Sequence, residues 1–308
     1  QGPFIDQVPE IHEFAQAKGW QIDVRDEMKH MNADQATCGY GCSGNPYDAY
    51  WSFDPLGHGD IHEIGHSLER GRFRFTGWEL HAITNPYSYY SRSAFNQRVG
   101  ENIVECGGLP FSEVYEALRM SLEQPDPTAY LQNEFWPSTG WSHQFLQSLQ
   151  TWMAAQREGV VSNGWHVLAR LHIYDREFSR ADDSEAMWLE KRDSLGFGTY
   201  EYNEIGSISN NDWNLIALAT VTERDYLAFL TTWGQSFSEK AVAQLNLLNL
   251  SPMPVEFALS SASGYCQVGQ NGDMLSKPAM AITVENTWPE EIDTDSDGYW
   301  DALDDLPA

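Results

Sequence analysis

The stretch GHGDIHEIGHSLERGRFRFTGWELH, residues 57–81, decides how this sequence is interpreted. It places His62 and His66 four residues apart, with Glu63 directly after the first histidine. On an α-helix such positions differ by about 40° around the axis, so both imidazoles project from one face and can bind one ion. Imidazole nitrogens suit zinc, and three protein ligands leave a fourth position for water, whose pKa the ion lowers towards 7. Glu63 would take that water's proton and return it to the leaving amine.

The segment after this helix offers a third ligand. We predict that the helix continues through SLERGRF until glycines break it, and that Glu79 in the next element completes a His-His-Glu zinc site. An interpretation without metal also exists. Asp60 and Glu63 have the N-cap and N3 spacing of a capping box, which would make both histidines ordinary surface or core residues.

Composition limits the function classes. With 308 residues, 42% of them hydrophobic, the chain can bury one large core, and we expect a substantial domain with a smaller appendage. The 18 Lys and Arg against 45 Asp and Glu give a net charge of −27, which argues against nucleic acid and anionic membranes as partners. No apolar run is long enough for membrane insertion, and the first residues lack the pattern of a signal peptide. The sequence carries no signal for an oligomeric state.

Helical spacing of apolar residues dominates from Asp60 to about residue 250. It is found in segments 111–123, 140–156, 164–178, 224–234 and 238–250, and a short helix is predicted near residues 8–20. After residue 250 the pattern changes to short alternating segments such as AMAITVEN, which predict strands. The predicted fold class is therefore α+β and mainly helical, with a small β-rich extension at residues 251–289.

The run HEIGHSLERGRFRFTGWELHAITNPYSYYS, with CSGNPYDAYW upstream, resembles the enhancin-type gluzincin metallopeptidases, the peptidase M-sixty-like family. Within that family it is most similar to the bacterial immunomodulating metalloproteases, secreted enzymes that act on O-glycosylated proteins. The resemblance is densest over residues 38–95. It implies a gluzincin catalytic domain over residues 1–250, secretion, and an O-glycosylated or mucin-type substrate cut next to a glycan-bearing Ser or Thr.

The family motif, HExxH followed by Glu, corresponds here to His62, Glu63, His66 and Glu79. In many members the acid lies a few residues before an Asn-x-Tyr-Ser segment, and by that measure His81 would take its place. The distance from His66 and the preceding Gly-Trp favour Glu79 as the third zinc ligand.

Other residues near the motif are candidates for substrate contacts. Tyr87 could donate a hydrogen bond to the developing oxyanion, although aromatic packing would also explain it. Sugar rings stack on aromatic side chains, and sugar hydroxyls take polar partners. A sugar subsite could therefore include Trp78, Asn85, Arg72 and Arg74, each of which could alternatively have a surface or core role.

A second motif lies near the end of the sequence, within residues 290–308. In DTDSDGYWDALDD, acids fall at positions 1, 3, 5, 9 and 12 of an EF-hand-type calcium loop, with Gly298 at the tight turn. The predicted calcium ligands are Asp293, Asp295, Asp297, Tyr299 through its carbonyl, Asp301 and Asp304. The run also resembles thrombospondin type 3 repeats, and a solvated acidic tail is the alternative.

The four cysteines favour disulfides over free thiols, with Cys38 close to Cys42 in sequence and Cys106 able to meet Cys266 at long range. Together these features predict a secreted zinc endopeptidase that acts on O-glycosylated protein. The alternatives are a glycan-binding module on the same scaffold and a zinc peptidase without glycan dependence. An aminopeptidase is disfavoured because no amine-binding GxMEN-like segment precedes the helix.

Overall fold

A computed structural model describes residues 8–22, 56–66, 68–266, 277–292, 294 and 300–301. Its helices are α1 (Pro9–Lys18), α2 (His58–His66), α3 (His81–Thr84), α4 (Pro86–Val99), α5 (Phe111–Ser121), α6 (Pro127–Tyr130), α7 (Trp141–Arg157), α8 (Trp165–Asp182), α9 (Glu185–Lys191), α10 (Asn210–Thr222), α11 (Leu227–Thr232) and α12 (Glu239–Leu248). Shorter 3₁₀ turns lie at Gly71–Phe73, Trp136–Ser138, Tyr202–Ser207 and Gly264–Cys266, and a π turn at Leu131–Phe135. The strands are β1 (Arg224–Asp225), β2 (Ser251–Pro252), β3 (Glu256–Ala258) and β4 (Ala279–Ala281).

The predicted mainly helical architecture is confirmed, and each amphipathic segment named above contains a helix. Helix α1 begins at Pro9, where a missing N–H costs nothing, and ends before Gly19, whose φ of 67° is the left-handed value that glycine tolerates. Helix α10 was not recognised from the sequence. Its apolar residues are spread around the helix, so its hydrophobicity shows almost no helical period, and nearly all of its residues are buried.

The core centres on α7, α8 and α10, where large aromatic side chains meet. The Trp213 ring of α10 packs edge-on against Tyr174 of α8, with ring centroids 5.3 Å apart, and against Phe178 at 6.1 Å. All three side chains are at most 1% exposed. This packing holds α8 and α10 together.

The strands form two small pairs. β1 pairs with β2 in parallel, and β3 pairs with β4 in antiparallel register, with Phe257 opposite Met280. Phe257 is fully buried and stacks on Trp233, with ring centroids 5.7 Å apart. On the other side of β3, the Gln150 side chain of α7 accepts from the Ala258 N–H at 2.7 Å and donates to its carbonyl at 2.8 Å. The strands expected after residue 250 are present but short, and they pack into the helical core; the domain limits at 250 and 290 stay predictions.

Cys106 and Cys266 form a disulfide, with Cα atoms 6.4 Å apart and a sequence separation of 160. This confirms the long-range pairing, while Cys38 and Cys42 lie outside the described residues. Both bridged cysteines are buried, Cys106 beyond the end of α4 and Cys266 in the last 3₁₀ turn. Among the residues that the structure describes, no helix combines the length and apolarity that a membrane span requires.

Helix α2 approaches the junction of α3 and α4 very closely, and Gly65 makes this approach possible. A Cβ atom built at Gly65 would lie 2.8 Å from the Thr84 carbonyl oxygen, 3.1 Å from Thr84 Cγ2 and 3.2 Å from Tyr87 Cδ2. A backbone carbonyl cannot move aside as the end of a flexible side chain can. Gly65, the residue before His66 in the HExxH motif, therefore sets the separation between α2 and the α3–α4 junction.

We expect the Gly65→Ala substitution to separate α2 from α3 and to destabilise the fold by about 1–3 kcal/mol, as overpacking in cores does. The affinity for the zinc ion predicted from the sequence should fall as well, because His66 lies on α2, whereas both candidates for the third ligand, Glu79 and His81, lie at or just before the start of α3. The measurements are the thermal midpoint and the zinc content after dialysis. Gly71→Ala is the matched control, since nothing lies within 4 Å of a Cβ at Gly71; equal effects of both substitutions would contradict this account.

Candidate metal centre

Helices α2 and α3 bring three histidines together. His62 and His66 lie one turn apart on α2, and His81 is the first residue of α3. One ring nitrogen from each lies within 4.8 Å of the others, and the Nε2 atoms of His62 and His66 are 3.1 Å apart. Nitrogen atoms at such distances can converge on one ion, which is the arrangement of a site with three protein ligands.

Each of these imidazoles has an oxygen acceptor at Nδ1. His62 Nδ1 donates to Asn85 Oδ1 at 2.6 Å, and His66 Nδ1 donates to Glu69 Oε2 at 3.1 Å. His81 Nδ1 donates to Glu79 Oε1 at 2.5 Å. A hydrogen bond at Nδ1 fixes the tautomer and leaves the Nε2 lone pair for a metal, which is how ligating histidines are commonly held.

At His62 the surroundings favour neutral imidazole, the form that binds metals. Burial lowers the pKa of His62, although the hydrogen bond to Asn85 raises it, and the neighbouring His66 lowers it further. One turn earlier on α2, burial lowers the pKa of His58 to about 4, with a further contribution from His62. A cluster of three imidazoles whose Nδ1 atoms are bound to oxygens fits zinc, whose preferred ligands include histidine nitrogen.

The segment between α2 and α3 is held in place by amide side chains. On α10, Asn210 Nδ2 donates to the carbonyls of Gly71 at 2.9 Å and Arg74 at 2.8 Å, and Asn214 Nδ2 donates to Arg72 O at 2.7 Å. The prediction that the helix continues through SLERGRF is wrong: it ends at His66, and the chain then forms the 3₁₀ turn Gly71–Phe73, whose backbone these asparagines bind.

The same segment is fixed at two further points before His81. Thr76 N–H donates to Asn211 Oδ1 at 2.8 Å, and Glu79 N–H donates to Gln144 Oε1 of α7 at 2.7 Å. Gln144 is only 3% exposed. The backbone that delivers His81 to the cluster is thus anchored to the core helices rather than to solvent-exposed groups.

The structure places the predicted catalytic and metal residues as follows. His62 and His66 lie in the cluster, and Glu63 lies between them on α2, with its side chain outside the described part of the chain. Glu79 is beside the cluster, not in it: its carboxylate binds His81 and its side chain is 43% exposed. As a zinc ligand Glu79 stays a prediction, and the geometry favours His81.

Tyr87 is engaged away from the three histidines. Its hydroxyl donates to the Leu68 carbonyl at 3.1 Å and lies 2.8 Å from His172 Nε2. Burial raises the pKa of Tyr87 well above its ordinary value. These contacts match the packing alternative, and a role for this phenol at the oxyanion stays a prediction.

The four residues predicted for a sugar subsite separate into three environments. Asn85 is 1% exposed and orients His62. Trp78 lines a cavity of about 580 Å³ whose other walls carry Trp136 and several amide and hydroxyl side chains. Arg72 and Arg74 line a different cavity, of about 780 Å³, together with three further arginines.

Three features of the site were missed from the sequence. Glu69 holds His66 and also accepts a hydrogen bond from Thr84 Oγ1. The sequence indicated this residue only through its position, three residues after His66. The asparagines of α10 gave a weaker signal, as the run NNDWN following Ser209, whose side chain accepts the Asp212 N–H as an N-cap. The role of Asn85 required knowledge of how α2 and α4 pack.

Most of the predicted calcium ligands, Asp293, Asp295, Asp297, Tyr299 and Asp304, lie outside the described residues. Asp301 is described and exposed. Its carboxylate accepts from Thr294 N–H at 2.7 Å and from Thr294 Oγ1 at 2.5 Å, and these hydrogen bonds lower the pKa of Asp301. The calcium loop stays a prediction.

Comparison with known proteins supports the resemblance found in the sequence. No family model matches the chain. Over 268 residues it is 27% identical to the immunomodulating metalloprotease of Pseudomonas aeruginosa, a match that covers 81% of this chain and 28% of that protein. The chain thus spans less than a third of this relative's length.

Solved structures of the Pseudomonas aeruginosa protein also resemble this chain. The IMPa metallopeptidase from Pseudomonas aeruginosa superposes with a TM-score of 0.74 at 22% identity, covering 94% of this chain and 33% of that one. This chain has the fold of a part of IMPa. IMPa in complex with T-antigen gives a TM-score of 0.71 at 21% identity, covering 93% of this chain and 33% of that one. IMPa in complex with an O-glycopeptide gives 0.69 at 23% identity, with coverages of 85% and 31%.

The third ligand can be assigned by substitution. We expect His81→Ala to abolish stable zinc binding, because it removes one of three clustered nitrogens. Glu79→Gln should keep zinc but weaken its binding by about 10- to 100-fold, the usual effect of losing a partner that orients a ligand. Zinc affinity measured by competition with a chelator checks both; complete loss of zinc in Glu79→Gln with retention in His81→Ala would instead make Glu79 the ligand.

Proposed function

We propose that this chain is the catalytic region of a secreted zinc endopeptidase that hydrolyses O-glycosylated, mucin-type proteins beside a glycan-bearing Ser or Thr. The observation that carries the proposal is the cluster of His62, His66 and His81, each with its Nδ1 bound to an oxygen. The relative's name, a metalloprotease, supports the same reaction class.

His62, His66 and His81 would hold the zinc ion through Nε2. Bound there, zinc would polarise the scissile carbonyl and increase the acidity of the attacking water. Glu63 lies on α2 between the two histidines, and its role is to accept a proton from water and deliver it to the leaving amine nitrogen. Asn85, Glu69 and Glu79 keep the three imidazoles oriented during this exchange.

Two observations support a glycosylated substrate. IMPa has been solved with T-antigen and with an O-glycopeptide, and this chain has the fold of part of that protein. The walls of the cavity of about 580 Å³ also include Trp78, which directly precedes Glu79 in sequence, and its described lining consists of indole, amide and hydroxyl groups without a charged side chain.

Secretion is supported by the disulfide between Cys106 and Cys266, because such bonds persist in oxidising environments outside the cytosol.

The test uses one peptide with and without a single O-linked sugar. We expect kcat/KM to be about a hundredfold higher for the glycopeptide, because binding energy from the sugar is used in the transition state. Glu63→Ala should keep its zinc and fold while kcat falls by about a thousandfold, as loss of a general base predicts. Glu190→Ala, which removes an exposed acid of α9, is the control.

The outcomes separate the alternatives. Equal cleavage of both peptides would leave a zinc peptidase without glycan dependence. Binding of the glycopeptide without hydrolysis by the zinc-loaded chain would indicate a glycan-binding module, and retained turnover in Glu63→Ala would overturn the mechanism.

We also propose that the acidic segment from Asp293 to Asp304 binds calcium, a proposal that rests on the ligand order in the sequence. Calorimetry should show uptake of calcium by the intact chain and none after truncation near residue 290. Peptidase activity should be largely unchanged by that truncation. Absence of calcium uptake by the intact chain would remove the proposal.

A further inference from the structure

The cavity of about 780 Å³ has a lining that is unusual for so acidic a chain. Five guanidiniums line it against one carboxylate, that of Asp175. The guanidiniums belong to Arg70, Arg72, Arg74, Arg176 and Arg180, and we call this cavity the arginine groove. The whole chain carries only 18 Lys and Arg against 45 Asp and Glu. The arginine groove is therefore a cationic site in a molecule of strongly negative net charge.

The arginine groove is continuous in sequence with the metal centre. Its first lining residue, Arg70, follows Glu69, which holds His66. The Arg70 side chain also donates to the Glu69 carbonyl at 3.1 Å. A substrate group bound in the groove would thus lie on the chain segment that leads out of the zinc-binding helix.

A buried carboxylate fixes two of the arginines. Asp175 has a side chain that is 5% exposed, and its two oxygens lie 3.2 Å from Arg72 Nη1 and 3.4 Å from Arg70 Nε. The Arg72 guanidinium also lies 4.9 Å from the centre of the Phe178 ring. Guanidiniums held in this way lose little conformational entropy when an anion binds.

Arg74 is the arginine whose charge the described residues leave uncompensated. Asn210 binds its carbonyl, so its backbone is fixed. Within the described ranges, no hydrogen bond or ion pair of the Arg74 guanidinium is found, although its side chain lines the groove. By contrast, Arg180 is paired with Glu177, which also binds Lys191.

We propose that the arginine groove binds a carboxylate of the glycoprotein substrate, carried either by an acidic sugar of the glycan or by an acidic residue of the polypeptide. The planar guanidinium fork matches a carboxylate with two parallel hydrogen bonds. Ser179 and Asn210 line the same groove and add neutral hydrogen-bonding groups. The substrate class rests on the proposed function, but anion binding in the groove requires no hydrolysis.

The experiment measures binding to the zinc-loaded full chain at low salt, by calorimetry or by NMR titration. Two matched pairs of probes separate the sources: a sialic acid methyl glycoside against its uncharged methyl ester, and N-acetylglutamate amide against N-acetylglutamine amide. We expect at least one acid to bind about tenfold more tightly than its uncharged partner. Arg74→Gln should remove about this tenfold preference, and Arg74→Lys should keep part of it.

Arg98→Gln is the control, because Arg98 is an exposed arginine in the last turn of α4, outside the groove, and its loss changes the net charge equally. Preference for the acidic sugar alone assigns the groove to the glycan, and preference for glutamate alone assigns it to the polypeptide. The proposal is overturned if neither acid is preferred, or if Arg74→Gln and Arg98→Gln have the same effect. Preferred acid binding together with no glycopeptide hydrolysis would reject the proposed function and leave this site standing.

Discussion

The geometry of the histidine cluster depends on three hydrogen bonds in which imidazole Nδ1 atoms donate to the oxygens of Asn85, Glu69 and Glu79. Without an acceptor, an imidazole can rotate and exchange tautomers, and the lone pair needed by an ion is then only partly available. The three acceptors come from three places: the junction of α3 and α4, the segment after α2, and the residue two before His81. The site is therefore defined by how these elements meet and not by the HExxH helix alone.

The packing of α2 against α3 depends on helix α10, which contributes no residue to the histidine cluster itself. Its asparagines bind the backbone between α2 and α3, while its Trp213 and neighbours are buried against α8. One helix thus joins the polar contacts of the loop to the aromatic core. A change in the packing of α10 would reach His81 through the loop, although α10 is distant from it in sequence.

A feature of the fold or of the site could be predicted from the sequence mainly when the residues that form it lie close together in the chain. The pair His62 and His66 was predictable because an i, i+4 spacing on one helix is a local property. Helices whose apolar residues recur at helical spacing, such as α7 and α8, were predictable for the same reason, whereas α10 was missed because its apolar residues are spread around the helix.

The third member of the cluster was harder to predict. Glu79 and His81 are two residues apart, and either could reach the two histidines if only chain length is considered. Their positions depend on the backbone that leads into α3, which Gln144 binds at the Glu79 N–H from a helix 65 residues away. Likewise, nothing local in the sequence separates Trp78 from Arg72 and Arg74, which line different cavities because the loop turns between them.

The contact of Gln150 with β3 has a consequence for association between chains. One side of β3 pairs with β4, and on the other side the Gln150 amide takes the position where the peptide group of a third strand would bind Ala258. A short strand with an unpaired edge can recruit an extended segment of another molecule, which is a common route to aggregation. Here the Gln150 side chain binds both the N–H and the carbonyl of Ala258, so at this residue the outer edge of β3 has no unpaired backbone group to offer another chain.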